Sequence, residues 1–166
     1  MCMNTDIKTR LEKIRLLLLD VDGVLTDGKI YLGEHGEELK SFHIRDGSAL
    51  VRWKKEGLKV ALISGRSSGA VDRRARELGI SEVYQGISDK LPIIDKLMVS
   101  YSCGKDETAY IGDDQTDLPV FGRVGFAIAV EDAHPEAVKA ADYRTTSRGG
   151  EGAVMEVIEL ILACRK

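Results

Sequence analysis

Four consecutive leucines, Leu16-Leu17-Leu18-Leu19, run straight into Asp20-Val21-Asp22-Gly23, and nothing else in the chain restricts its fold as strongly. An apolar run of strand length with no polar alternation is covered on both faces, which places it at the centre of a parallel sheet between two layers of helices. Two aspartates one residue apart then arrive at the strand's C-terminal end, where open α/β sheets hold their ligands. Carboxylates so close to a core strand are desolvated unless a cation or hydrogen-bond donors meet them. A positive partner is therefore expected there. Taken alone, Asp-x-Asp-Gly is equally compatible with an ordinary Asp-Gly turn, so the weight falls on what the rest of the chain supplies.

At 166 residues the chain suffices for one domain with a proper core, read as a single unit over 1–166. Its 43% hydrophobic and 31% charged residues are those of a soluble protein. A net charge of -3, with no block of Lys or Arg, argues against nucleic acid as a partner. The stretch from Met1 to Arg15 alternates polar and charged residues, and Asp20 and Asp22 soon interrupt the leucines. Neither a signal peptide nor a membrane span is expected, so the reading is cytoplasmic with no membrane contact. Cys2, Cys103 and Cys164 lie far apart without metal-type spacing, which fits a reducing compartment.

After a lead-in helix over residues 5–14 and the first strand, Lys29–Leu32 and Glu38–Ile44 flank Gly33-Glu34-His35-Gly36 and read as a β-hairpin, with His35 solvated in its turn. Asp46 is the expected N-cap of a helix ending near Glu56, with Gly57 as its stop. Strands and helices then alternate as in crossover units: strands at 58–63, 83–84, 108–111, 125–129 and 143, helices at 67–78, 90–102, 117–123, 135–140 and 154–164. The expected fold is α/β, a three-layer Rossmann-like parallel sheet.

Four groups fall after strands or at helix starts on one edge of that sheet: Asp20 with Asp22; Ser64 in Ser64-Gly65-Arg66; Lys90; and Gly112-Asp113-Asp114-Gln115-Thr116-Asp117. A cation is unfavourable at a helix N-terminus, so Lys90 implies an anionic neighbour. In this order and setting the four groups resemble the motifs of the haloacid dehalogenase superfamily of phosphohydrolases. More narrowly, Asp20-Val21-Asp22-Gly23-Val24-Leu25-Thr26-Asp27-Gly28, Arg45-Asp46-Gly47, Tyr84-Gln85-Gly86, Asp89-Lys90, Tyr110-Ile111-Gly112-Asp113-Asp114, Ala133-His134-Pro135 and Arg148–Val154 resemble the 3-deoxy-D-manno-octulosonate 8-phosphate (KDO 8-phosphate) phosphatases. The likeness extends from about Ile14 to Leu162.

That resemblance implies a magnesium-dependent phosphomonoesterase of KDO and lipopolysaccharide biosynthesis, acting through an aspartyl-phosphate. It gives Asp20 the role of nucleophile and Asp22 that of the acid that protonates the leaving oxygen and then activates water. Asp20, the backbone carbonyl of Asp22, and Asp113 are the implied ligands of Mg²⁺. Ser64, Lys90 and the Asp22-Gly23 backbone N–H groups are left to hold the phosphoryl oxygens. Asp114 and Asp117 read as supporting partners or as helix-N-terminal carboxylates. Beside Gly65, Arg66 is the candidate for the carboxylate of a phosphorylated keto sugar acid, with Arg74 a weaker second. Ser67 and Met155 replace the Lys and Arg that closer relatives tend to have, so this chain lacks those two cations.

The hairpin and one helix use up the interval between Asp22 and Ser64, and the next interval holds one helix and one strand, so the fold is expected to be capless with a β-hairpin flap. An uncovered site calls for a neighbouring subunit. A homotetramer is expected by resemblance, with the hairpins assembled and the Arg148–Gly152 segment closing an adjacent site. Two other readings stand beside this one: a phosphatase for a nine-carbon keto sugar acid 9-phosphate, and a non-catalytic partner domain of a sugar nucleotidyltransferase.

Overall fold

Leu16–Leu19 forms strand β1, and all four of its side chains are fully buried. Because strand side chains alternate, Leu17 and Leu19 enter one core while Leu16 and Leu18 enter a second on the opposite face. This is the two-sided burial expected of an unbroken apolar run. The structure, a computed structural model, describes residues 5–165. Cys2 lies outside them; Cys103 and Cys164 are buried free thiols.

In chain order, helix α1 (Thr5–Lys13) precedes β1, and the hairpin strands β2 (Tyr31–Leu32) and β3 (Glu38–Leu39) follow it. Next come α2 (Ile44–Lys55), β4 (Lys59–Ile63), α3 (Gly69–Leu78), β5 (Val83–Tyr84), α4 (Leu91–Ser100) and β6 (Thr108–Gly112). The chain continues through α5 (Leu118–Arg123), β7 (Phe126–Ala129), α6 (Pro135–Ala140), β8 (Tyr143–Arg144) and α7 (Ala153–Cys164). Six strands make one parallel sheet in the order β5-β4-β1-β6-β7-β8, and β2 with β3 makes a separate antiparallel pair. Leu11 of α1, Leu50 and Trp53 of α2, Val71 of α3 and Ile158 of α7 cover one face. Ile94 and Leu97 of α4, Phe121 of α5 and Ala137 of α6 cover the other. The chain leaves β1 towards β4 on one side and returns to β6 on the other, which opens a crevice at the C-terminal ends of β1, β4 and β6.

One local expectation is corrected. Helix α2 starts at Ile44, with His43 at the cap position, so Asp46 lies inside the first turn; buried between α2 and α7, it accepts from the Met155 N–H at 2.8 Å. Lys90 stands just before α4, whose first turn carries Pro92. Asp117 both closes a 3-10 turn, Gln115–Asp117, and stands at the cap position of α5. Among the described residues no helix is long and apolar enough to cross a membrane.

Candidate active site

The ends of β1, β4 and β6 surround a cleft of about 380 Å³ lined by Asp20, Asp22, Ser64, Gly65, Arg66, Lys90 and Asp113, among others. Residues far apart in sequence meet there because three parallel strands stop at one level. Asp20 ends β1 with one carboxylate oxygen accepting from the Val21 N–H at 2.6 Å and the other from Lys90 Nζ at 2.8 Å. Lys90 is buried, and its remaining hydrogen bonds run to Asp117 Oδ1 at 2.7 Å and the Tyr110 hydroxyl oxygen at 2.8 Å. Burial works against the charge of Lys90, yet Asp20 and Asp117 outweigh it and raise its pKa above the ordinary lysine value.

Asp117 is the least exposed acid of the group and has no free hydrogen-bonding capacity. Its Oδ1 accepts from Lys90 and from the Tyr110 hydroxyl at 2.6 Å, and its Oδ2 accepts from the N–H groups of Asp113 and Asp114 at 3.0 and 3.3 Å. Carboxylate oxygens of Asp20, Asp113 and Asp117 converge within 4.8 Å of one another. Since the oxygens of Asp117 are taken, Asp20 and Asp113 are the pair left to face a cation. Asp113 Oδ1 is buried without a partner. Burial, then repulsion from Asp20 and Asp117, pushes the Asp113 carboxyl up to about 8; burial, opposed by Lys90, pushes Asp20 up to about 6. A divalent cation between them would offset the burial and repulsion behind both shifts, so this donor set of hard oxygens fits Mg²⁺.

Asp22 turns the other way. It forms ion pairs with Lys40 and, at 3.8 Å, with Arg66 Nε. The loop carrying it is drawn tight by Thr26, whose Oγ1 accepts from the N–H groups of Gly23 and Gly28, both at 3.3 Å. Gly23 has φ +84, and a Cβ built on it collides with the Asp113 carboxylate. Only glycine lets this loop approach so closely. Ser64 is buried at the end of β4, where its Oγ accepts from the Arg66 N–H at 3.2 Å and keeps its own hydrogen to donate. Gly65 lines the cleft, where a Cβ would meet only the Ile87 carbonyl oxygen, at 3.8 Å.

Arg74 is not brought to the cleft. It lies five residues into α3, about 7.5 Å along the helix. There its side chain pairs with Glu77 at 3.3 Å and stacks 6.0 Å from the Phe42 ring, in a separate hollow with His43 and Asp46. Gly47 makes room for it, since a Cβ there runs into the guanidinium. The Arg148–Gly152 segment packs beside the Asp22 loop. It closes on its own chain: the Gly150 N–H donates to Val24 O at 2.9 Å, and Gly149 packs on the Gly23 carbonyl so tightly that a Cβ does not fit.

Sequence reasoning passed over Lys40, Glu38 and the Tyr110 hydroxyl. Lys40 bridges Asp22 and Glu38 with a side chain only 2% exposed. A lysine in a polar hairpin carries no local signal of burial, whereas a tyrosine inside the apolar run Ala109-Tyr110-Ile111 does mark a buried hydroxyl in need of a partner.

Residues 79–158 match the family model described as haloacid dehalogenase-like hydrolase. The chain is 46% identical over 160 residues to the 3-deoxy-D-manno-octulosonate 8-phosphate phosphatase of Escherichia coli K12, covering 96% of this chain and 85% of that one. The solved structure of the same-named phosphatase from Yersinia pestis superposes with a TM-score of 0.96 at 45% identity, covering 98% of this chain and 88% of that one. That of the Moraxella catarrhalis phosphatase, in complex with a magnesium ion, a phosphate ion and a KDO molecule, gives 0.94 at 42% identity, covering 98% and 94%.

Proposed function

The chain belongs to the haloacid dehalogenase-like hydrolases, in the family of the 3-deoxy-D-manno-octulosonate 8-phosphate phosphatases, and from that membership we propose that it hydrolyses KDO 8-phosphate to KDO and phosphate with Mg²⁺ as cofactor. One observation carries the reading: Asp20 and Asp113 converge at the open end of β1 and β6, with Asp113 Oδ1 unpartnered and Lys90 behind Asp20. Held by Asp20, Asp113 and the backbone carbonyl of Asp22, Mg²⁺ when bound supplies the positive charge that lets an anionic nucleophile and a phosphate monoester share one site.

The protein's own groups do the rest. Asp20, aimed by the Val21 N–H and Lys90, attacks phosphorus to give an acyl-phosphate as the sugar oxygen leaves. Asp22 gives its proton to that oxygen, and afterwards takes one from the water that hydrolyses the acyl-phosphate, restoring Asp20 and the proton. Ser64 donates its hydroxyl hydrogen to a phosphoryl oxygen, and Lys90 adds charge stabilisation. Gly23 and Gly65 let the phosphoryl group approach the backbone closely. Arg66, half exposed on the cleft wall, takes the sugar carboxylate.

We read 1–166 as one phosphatase domain, which the single sheet running from β5 to β8 supports. We place it in the cytoplasm as a homotetramer; exposed Ile30, Tyr31, Leu32, Leu39 and Ile44 on and beside the hairpin favour assembly there. The test is phosphate release from KDO 8-phosphate, a nine-carbon sugar acid 9-phosphate and neutral sugar phosphates, with magnesium and with chelator. Highest kcat/KM on KDO 8-phosphate, lost with chelator, is the expected result; preference for the nine-carbon acid moves the protein to that activity. Asp20→Asn folds and releases no phosphate, and appreciable turnover by that variant removes Asp20 from its role.

A further inference from the structure

The guanidinium to which the preceding reading gives the substrate carboxylate already holds a carboxylate of this chain. Arg66 Nη2 donates to Glu38 Oε2 at 2.8 Å. Glu38 belongs to β3, so the hairpin rather than the sheet delivers it to the rim of the cleft. Its other oxygen lies 3.0 Å from Lys40 Nζ, and Lys40 in turn holds Asp22. The two cations on Glu38 are unequal. The Lys40 side chain is 2% exposed and also paired with Asp22, while that of Arg66 is 48% exposed and faces the cleft. Contact with Lys40, and then with Arg66, holds the Glu38 carboxyl below the usual carboxylate range, so it is ionised at neutral pH.

A guanidinium offers its donors as planar forks, and the edge that grips one carboxylate does not grip a second. We propose that Glu38 is a specificity-determining residue that stands on Arg66 in the place of the substrate's carboxylate, so that a sugar acid phosphate enters by exchanging one carboxylate for another. The proposal rests on the assignment of Arg66 to the substrate carboxylate. Exchange has two consequences. A sugar acid gains from Arg66 only the difference between its own pairing and that of Glu38, which keeps binding moderate. After hydrolysis the sugar acid meets the same competitor, so the return of Glu38 to Arg66 speeds its release. A phosphomonoester without a carboxylate has no cause to displace Glu38 and is blind to it.

Glu38→Gln tests this, because the hydrogen bond of Lys40 to Asp22 does not run through Glu38 and is kept, while the charge that binds Arg66 is lost. The readout is the ratio of kcat/KM for KDO 8-phosphate to that for a neutral hexose 6-phosphate, which cancels any general change in attraction for phosphate. Breaking a half-exposed ion pair no longer opposes the acid, so the ratio rises about two- to fivefold through KM, and inhibition by free KDO tightens by the same factor. Arg66→Gln is run beside it and lowers the ratio. A ratio that stays level or falls in Glu38→Gln, while Arg66→Gln lowers it, overturns the role of Glu38 and leaves that of Arg66. A ratio untouched by Arg66→Gln overturns the assignment of Arg66 and the exchange with it.

Discussion

Asp117 shows how one side chain organises a site without facing its ligand. Four donors converge on its two oxygens, from Lys90, Tyr110 and two backbone N–H groups, so the loop carrying Asp113 and the cation behind Asp20 are fixed to the same atoms. An asparagine has one acceptor and one donor group, and whichever way it turns, two donors lose their partner. Asp117→Asn is expected to lower stability by about 3 kcal/mol, measured by urea unfolding, with loss of activity exceeding what unfolding explains. Stability within about 0.5 kcal/mol of the parent contradicts the shared anchor. Asp20, Ser64 and Asp113 were recognisable from sequence because each directly follows a strand whose end sets its position, and Asp22 because it stands two residues beyond Asp20. The task of Asp117 was open to two readings, and Lys40 passed unnoticed. Their partners are distant in sequence or on another element, and no local pattern encodes such pairings.

Helix α7 begins at Gly152, which has φ +102 and no side chain with which to cap it; the missing acceptor comes instead from Asp46 of α2, through the Met155 N–H. Burial raises the Asp46 pKa, against the Met155 N–H and the neighbouring charges of His43 and Arg74. A carboxyl with a raised folded-state pKa holds its proton more tightly in the fold than in the unfolded chain. Its contribution to stability therefore falls as pH climbs from the unfolded value of about 3.9, and levels off above the raised one. Asp46→Asn keeps an acceptor for Met155 and cannot ionise, so the variant gains stability relative to the parent as pH rises through that window. Parallel denaturation curves across pH check it, and a difference that stays constant contradicts it. Just before α7, Gly149 rests on the Gly23 carbonyl. Gly149→Ala pushes apart the two loops beside Asp22, lowering kcat about 10- to 100-fold in a protein that still folds. The extent of α7 and the glycine stop at Gly57 after α2 were plain in the chain, as local signals are. The start of α2 was misplaced because Asp46, the acid read as its cap, is engaged in a tertiary contact with α7.

At the scale of the whole molecule, the parallel sheet and its layering followed from one buried strand and regular alternation, while the strand order and what lies above the cleft did not, because neither leaves a period in the sequence. The cleft is open, and about 380 Å³ is walled by one chain alone. Near its rim the hairpin exposes Leu32 (74%) and Leu39 while sending Glu38 and Lys40 inward to Arg66 and Asp22. The same short element thus carries an apolar outer surface and two groups that reach the site. Burying each leucine against a neighbouring copy is worth about 2 kcal/mol, repeated in every subunit of the proposed tetramer. Leu32→Glu puts a charge into that contact and is expected to dissociate the assembly in sedimentation at micromolar protein. The Lys40–Asp22 pair lies within one chain, so the dissociated variant retains phosphatase activity on a small aryl phosphate. Its kcat/KM on KDO 8-phosphate falls at least tenfold, since the sugar loses its cover while the phosphoryl site is intact. A Leu32→Glu protein that remains tetrameric removes the hairpin from the interface. One that is monomeric with undiminished kcat/KM on the sugar acid phosphate shows that a single chain completes the site.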